Sequence, residues 1–287
     1  MILTTLVTTG ILTQHLDHPD WVVFDCRHDL TDPERGRREY AESHIPGARF
    51  LHLDDDLSAP KTGTNGRHPL PDPDVLMEKL GRAGVDSRKQ VVAYDAQGGM
   101  VAARLWWLLR WLGHLPVAVL DGGWNQWIAE GHPQGTEIPR PQPARFSGKA
   151  NPNWVGADFV RARLYDPGML LVDARAPDRF RGQNETLDPV GGRIPGARNR
   201  YFRDNLDASG CFKSPEELEQ EFGTVLGPAG AENVVSYCGS GVSACHNLLA
   251  MEVAGLRGAR LYPGSWSEWC ADPSRPVESG EPKATRR

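Results

Sequence analysis

Ile45-Pro46-Gly47-Ala48-Arg49 occurs a second time, unchanged, as Ile194-Pro195-Gly196-Ala197-Arg198. Ahead of each copy stands an apolar run that ends on an acid, Val22-Val23-Phe24-Asp25 and Leu170-Leu171-Val172-Asp173. Behind each comes another apolar run, Val91-Val92-Ala93-Tyr94 and Val234-Val235-Ser236-Tyr237. A tryptophan block closes each series, Gly122-Gly123-Trp124-Asn125-Gln126-Trp127 and Gly264-Ser265-Trp266-Ser267-Glu268-Trp269. The four blocks keep their order, and their offset drifts only from 149 (194 − 45) to 142 (266 − 124), as changes in loop length would produce. Constant order at nearly constant spacing indicates one domain written twice. The length of 287 residues agrees, being about twice the usual size of a single domain.

The short apolar runs have the length and continuity of strands buried on both faces. Ala102 to Leu112 and Ala244 to Ala254 read as helices, with Gly113 and Gly255 placed to end them. Strands alternating with helices imply parallel βαβ units, hence an α/β fold with two domains, each a parallel sheet flanked by helices. The prolines between His132 and Pro152 exclude a helix there and favour an extended connection. The expected division is therefore a first domain over 1–135, a linker over 136–153 and a second domain over 154–287. Trp106, Trp107 and Trp111 read as core and packing residues, and the polar tail after Asp272 as a surface segment.

A net charge of −5 offers no general attraction to nucleic acid or to an acidic membrane surface. No apolar stretch approaches a membrane span, and Met1 to Leu12 lacks the basic start and cleavage site of a signal peptide. The five cysteines include no Cys-x-x-Cys pair, so neither a disulfide framework nor a zinc knuckle is indicated. A reducing cytoplasm fits this usage, and no metal or organic cofactor is expected.

Cys238 directly follows the run Val234–Tyr237 and precedes the helix that begins near Ala244. The residues between, Gly239-Ser240-Gly241-Val242-Ser243, are small enough to curl so that successive backbone N–H groups face one concavity at the helix start. Such a cradle suits a sulfur nucleophile, and a negatively charged persulfide once sulfur has been accepted. The plainer reading, a buried cysteine beside a tight turn, would suit an isolated residue; here strand, glycine loop and helix occur together. At the matching place in the first half stands Asp95, which cannot act as a sulfur nucleophile. Cys245 lies inside the helix and reads as core, while Cys26, Cys211 and Cys270 have no supporting context.

These features resemble the tandem rhodanese-domain sulfurtransferases, and the resemblance runs nearly end to end. Thiosulfate-type members have basic residues after the cysteine. Cys238-Gly239-Ser240-Gly241-Val242-Ser243-Ala244 is instead similar to the Cys-Gly-Ser-Gly-Val-Thr-Ala of 3-mercaptopyruvate sulfurtransferases, departing from it by Ser243 for Thr. The resemblance implies a Ser-His-Asp relay made of Ser240, His68 and Asp54. It also implies a donor-binding arginine at Arg179, with Gly239, Gly241, Val242 and Ser243 completing the substrate loop. Without the resemblance, Asp54-Asp55-Asp56 would be a solvated acidic run and His68 a loop histidine. The second donor-binding arginine of the family has no counterpart in Glu185-Thr186-Leu187-Asp188-Pro189, which leaves Arg193 and Arg181 as alternatives.

The expected reaction moves sulfur from a small-molecule donor, 3-mercaptopyruvate, to a thiol, thioredoxin or cyanide through a Cys238 persulfide. Thiosulfate is the alternative donor, and a persulfide carrier without turnover is the alternative of another class. A phosphatase is disfavoured because the sixth residue after Cys238 is Ala244, where a phosphate-binding arginine would stand.

Overall fold

The computed structural model describes residues 2–281. By its internal contacts the chain forms two compact units. The first contains residues 2–60, Leu70–Pro152 and Leu206–Lys213; the second contains Lys61–Pro69, Asn153–Asn205 and residues 214–281. Each unit thus takes in one short segment from the other half of the sequence.

In the first unit the elements run β1 (Leu6–Val7), α1 (Thr9–Thr13), β2 (Trp21–Asp25), α2 (Arg35–Glu42), β3 (Arg49–Phe50), α3 (Pro73–Arg82), β4 (Gln90–Tyr94), α4 (Ala102–Trp111), β5 (Val117–Leu120) and α5 (Gly123–Ala129). The strands form one parallel sheet in the order β1-β5-β4-β2-β3. In the second unit they run α6 (Ala157–Ala162), β6 (Leu170–Asp173), α7 (Pro177–Phe180), β7 (Arg198–Asn199), α8 (Pro215–Leu226), β8 (Val234–Tyr237), α9 (Ser243–Val253), β9 (Arg260–Leu261) and α10 (Ser265–Trp269). Here the parallel order is β7-β6-β8-β9, and a single parallel bridge from Trp154 to Leu261 takes the place that β1 has in the first sheet. The two sheets are the same topology executed twice.

The central strands are apolar on both faces because helices cover both. β4 and β8 are buried along their whole length. Val23, Val92, Ala118 and Trp127 pack with Ile45 and Ala48 in the first core; Leu171, Val235, Tyr262 and Trp269 pack with Ile194 and Ala197 in the second. The Ile-Pro-Gly-Ala blocks therefore place an isoleucine and an alanine in each core. Gly113 (φ +83°) and Gly255 (φ +76°) follow α4 and α9 in the left-handed conformation that ends a helix without a Cβ clash. Trp106, Trp107 and Trp111 are buried, as core residues should be.

A buried polar network explains why the acids, tyrosines and tryptophans recur along with the apolar residues. Arg27 donates through Nε and Nη2 to Asp25 (2.9 and 2.6 Å to Oδ2), and Tyr94 donates to the same carboxylate at 2.7 Å. The Ile45 amide donates to the Tyr94 hydroxyl at 3.2 Å, and the Arg27 guanidinium lies 4.5 Å from the Trp124 ring centre. In the second unit, Arg175 donates to Asp173 at 2.6 Å and Ile194 to the Tyr237 hydroxyl at 3.2 Å. There Arg175 lies 4.8 Å from the Trp266 ring. All four sequence blocks meet in each network, so the constraint on one fixes the others. A buried charge left without its partner costs about 3–5 kcal/mol.

Residues 136–153 contain no helix or strand. They do not hang free: Ala144 donates to the Gly81 carbonyl, Lys149 to Leu112 and Asn151 to Trp111, and Phe146 is buried against His114. Of the polar tail, Glu278 exchanges backbone hydrogen bonds with Arg193, while residues 282–287 lie outside the described residues.

Candidate active site

Cys238 leaves the end of β8 and is 2% exposed. Gly241 turns the chain back with φ +77°, and a β-carbon there would stand 2.3 Å from the Pro263 carbonyl oxygen, so no other residue fits. The turn brings the Gly241 amide onto the Cys238 Sγ at 3.1 Å. The tryptophan block clamps the loop from the other side. Trp266 and Ser267 amides donate to the Cys238 and Gly239 carbonyls, each at 2.9 Å, and the Ser265 hydroxyl accepts from the Cys238 amide at 3.0 Å. Ser265 holds φ +54°, a strained conformation for a residue with a side chain. The first half has Gly123 there, and the serine hydroxyl is the group that meets the cysteine backbone.

The first unit displays the same turn with a buried carboxyl group in place. Gly98 (φ +71°) matches Gly241. Asp95 puts its carboxylate where the loop amides converge: Gln97 and Gly99 donate to Oδ1 at 2.7 and 2.9 Å, Val101 and Ala102 to Oδ2 at 2.7 and 2.9 Å. Burial pushes the Asp95 carboxyl above its ordinary range, and the four backbone donors oppose that shift, so the turn is shaped to hold a strong hydrogen-bond acceptor.

Around Cys238, His68 Nδ1 is 2.7 Å from the Ser240 hydroxyl, and both residues are buried. The loop histidine of the plain reading is thus a structured one, carried by the segment Lys61–Pro69 that belongs to the second unit. Gly66 (φ +86°) lies against Gly264, and the Arg67 amide donates to the Ser267 hydroxyl at 3.0 Å, which seats the segment. Asp54 belongs to the first unit, where its amide donates to His52 Nδ1 at 3.2 Å. It is half-buried, and of the three acids only Asp55 is exposed, so this is not a solvated run.

Arg179, in α7, makes three hydrogen bonds to Glu185 at 2.8–3.1 Å and lies 3.5 Å from Asp188. Burial opposes ionisation of Glu185, but the bonds from Arg179 and the Leu187 and Asp188 amides outweigh it and hold the carboxyl below its ordinary range. Val242 is buried in the loop and Ser243 opens α9. The two other arginines considered are occupied elsewhere. Arg193 is buried, donates to the Gly280 carbonyl at 2.6 Å and pairs with Glu278; Arg181 pairs with Glu281.

The remaining cysteines sit in discouraging surroundings. Burial, with Asp25 beside it, pushes the Cys26 thiol well up; burial and Asp188 push Cys270 to about 11; burial raises Cys211. Cys245 is buried in α9 and donates to the Gly241 carbonyl. His28, His52 and Asp54 have ligand atoms within 4.8 Å of one another. His52, however, already accepts the Asp54 and Asp55 amides on Nδ1 and meets the Pro33 carbonyl with Nε2, which leaves it no nitrogen for a metal.

The rhodanese-like domain family matches this chain twice, over residues 8–130 and 156–272. The chain belongs to the rhodanese family. Its tandem domains are the duplication that the repeated blocks implied. A "Probable 3-mercaptopyruvate sulfurtransferase" of Pseudomonas aeruginosa is 48% identical over 279 residues, covering 96% of this chain and 98% of that protein. A "Putative thiosulfate sulfurtransferase SseB" of Mycobacterium tuberculosis is 36% identical, covering 96% and 97%. Among solved structures, the 3-mercaptopyruvate sulfotransferase SseA of Escherichia coli superposes with a TM-score of 0.80 at 28% identity, covering 92% of this chain and 99% of that one. Among the described residues of this rhodanese, no helix is long and apolar enough to cross a membrane.

Sequence reasoning missed Arg67, Glu185 and Asp188. Arg67 adjoins His68 in sequence, which is the only hint available; the two acids carry no motif at all.

Proposed function

We propose that this rhodanese is a sulfurtransferase that takes sulfur from 3-mercaptopyruvate and passes it to a thiol, thioredoxin or cyanide through a persulfide on Cys238. The observation that carries the reading is the Cys238 loop with Ser240 hydrogen-bonded to His68 beside it. The Cys238 thiolate attacks the donor sulfur, and the donor carbon–sulfur bond breaks with its electron pair leaving as pyruvate enolate. Ser240, polarised by His68, delivers the proton that turns the enolate into pyruvate. The outer sulfur of the persulfide takes up the position that the Asp95 carboxylate has in the first unit. Attack on it by an acceptor thiolate or cyanide returns Cys238 as thiolate and releases a persulfide or thiocyanate. The first domain (1–135) carries no nucleophile, because Asp95 stands in its place; the linker (136–153) and the catalytic domain (154–287) follow.

Donor choice tests this. A loop serving the thiosulfate dianion benefits from positive side chains next to the cysteine, since charges attract strongly when desolvated. Gly239 and Ser240 occupy those places here. We expect kcat/KM for 3-mercaptopyruvate to exceed that for thiosulfate by at least roughly tenfold, about 1.4 kcal/mol of differential transition-state binding. Ser240→Ala should narrow the gap, because thiosulfate releases sulfite and needs no enolate proton. Higher kcat/KM with thiosulfate would overturn the donor assignment, and single-turnover loading without steady-state release would favour a persulfide carrier.

A further inference from the structure

Cys238 is 2% exposed, so whatever takes its sulfur must be brought against the loop and held there. Two segments of the second unit, residues 186–190 and 276–277, adjoin that loop. The second lies alongside Gly192, because Arg193 and Glu278 exchange backbone hydrogen bonds at 2.8 and 3.0 Å. Val277 Cγ1 is 2.8 Å from where a β-carbon on Gly192 would stand. The tryptophan block that clamps the Cys238 loop also pins both segments. Trp266 Nε1 donates to the Val190 carbonyl at 2.8 Å, and Trp269 Nε1 to the Pro276 carbonyl at 2.9 Å. One short helix, α10, therefore fixes the nucleophile loop and these two segments together.

Their side chains are sorted against the preference of water. Asp188 and Glu185 turn inward, Asp188 to pair with Arg67 and Glu185 with Arg179. Leu187, Pro189, Val190, Pro276 and Val277 turn outward. Leu187 and Val190 are 39% exposed and Val277 41%, and these three are most of the exposed large apolar side chains of the second unit, beside Trp154 and Tyr165. A lone exposed aliphatic needs no explanation, but buried acids with apolar neighbours held outward on pinned backbone mark a contact surface. Ion pairs border it, Arg181 with Glu281 and Arg193 with Glu278, as the polar rim of an interface would. Five outward side chains fall far short of the roughly 20–30 residues a side of a stable complex, so the surface suits a partner that docks and leaves.

We propose that Leu187, Pro189, Val190, Pro276 and Val277 form the docking surface for the sulfur acceptor, a folded protein whose cysteine projects from an uncharged, apolar surface. The proposal rests on the reading of Cys238 as the sulfur-carrying thiol. Cyanide has no apolar surface to lay against these residues, whereas a protein thiol brings one with it. The docked thiolate attacks the outer sulfur of the Cys238 persulfide. The sulfur–sulfur bond breaks, its electron pair returns to Cys238 as thiolate, and the partner carries the sulfur away as its own persulfide. In a dithiol partner the second thiolate then closes a disulfide and displaces hydrosulfide, so the partner is oxidised and the transferred sulfur reduced.

The test uses the full chain with Val190→Asp and Val277→Asp combined, and separately with Val190→Lys and Val277→Lys combined. With 3-mercaptopyruvate as donor, hydrosulfide release is followed with reduced thioredoxin as the protein-thiol probe, and thiocyanate formation with cyanide. Both double variants should raise the thioredoxin KM at least roughly tenfold and leave kcat/KM for cyanide within about twofold of wild type, because only a docked acceptor uses the surface. The cyanide reaction also reports that the variants are folded. An unchanged thioredoxin KM in both would overturn the proposal, and so would an equal fall with both acceptors, which would place the effect in the loop itself. A loss with aspartate and a gain with lysine would replace apolar docking by charge attraction. Sedimentation showing a wild-type dimer that the substitutions dissociate would assign the surface to a second copy of the chain and overturn the acceptor role. A wild type active with cyanide but not with thioredoxin would overturn it as well. No turnover with either acceptor would defeat the Cys238 reading and this proposal with it; a wrong donor alone would not, since thiosulfate can load the sulfur for the same comparison.

Discussion

Cys238→Ser is expected to abolish sulfur transfer, with a loss of at least about 10⁴-fold in kcat/KM, the scale seen when a covalent nucleophile is removed. A serine hydroxyl in the same loop would receive the Gly241 hydrogen bond but cannot accept sulfur. Alanine at Cys26, Cys211, Cys245 or Cys270 should leave substantial turnover. Burial raises three of these thiols above the ordinary cysteine range, and the fourth is bonded to a loop carbonyl. Mass spectrometry after treatment with donor should find one added sulfur, on the peptide that contains Cys238. Retention of activity in Cys238→Ser would end the proposed mechanism.

The second large effect is expected from truncation. A chain of residues 153–287 keeps Cys238, Ser240 and Arg179 but lacks Lys61–Pro69, which belongs to the second compact unit. It therefore loses His68 from Ser240 and Arg67 from Gly239. General acid–base assistance is worth about 10²–10⁴-fold, so 3-mercaptopyruvate turnover should fall by at least roughly a hundredfold. His68→Ala in the full chain separates this loss from misfolding of the fragment, and should reproduce most of it. Full turnover by the fragment would exclude any need for the Lys61–Pro69 segment.

The duplicated α/β architecture was legible because each repeated block satisfies a local requirement. Apolar runs closed by an acid make buried strands, Gly113 and Gly255 end helices, and the Ile-Pro-Gly-Ala and tryptophan blocks return at the same intervals. Cys238 was legible for the same reason: strand, glycine turn and helix are consecutive in the chain, so their chemistry can be read in one pass. His68, Asp54 and Arg179 needed a family resemblance, since nothing within their own segments distinguishes them from loop residues.

The sequence alone determined the strands, the turn and the place of Cys238 at that turn, all of which depend on neighbours a few residues away. Tertiary structure decided the rest of the site. Arg67 and Asp188 belong to loops whose sequences carry no periodicity, and their contacts come from groups distant in the chain: Ser267 and Gly264 seat the Lys61–Pro69 segment, and Arg67 pairs with Asp188 across 121 positions. Arg67 meets Gly239 across 172 positions (239 − 67), where only the folded chain brings the guanidinium to the loop. Electrostatic partners are chosen by distance in space, and local sequence holds no record of that distance.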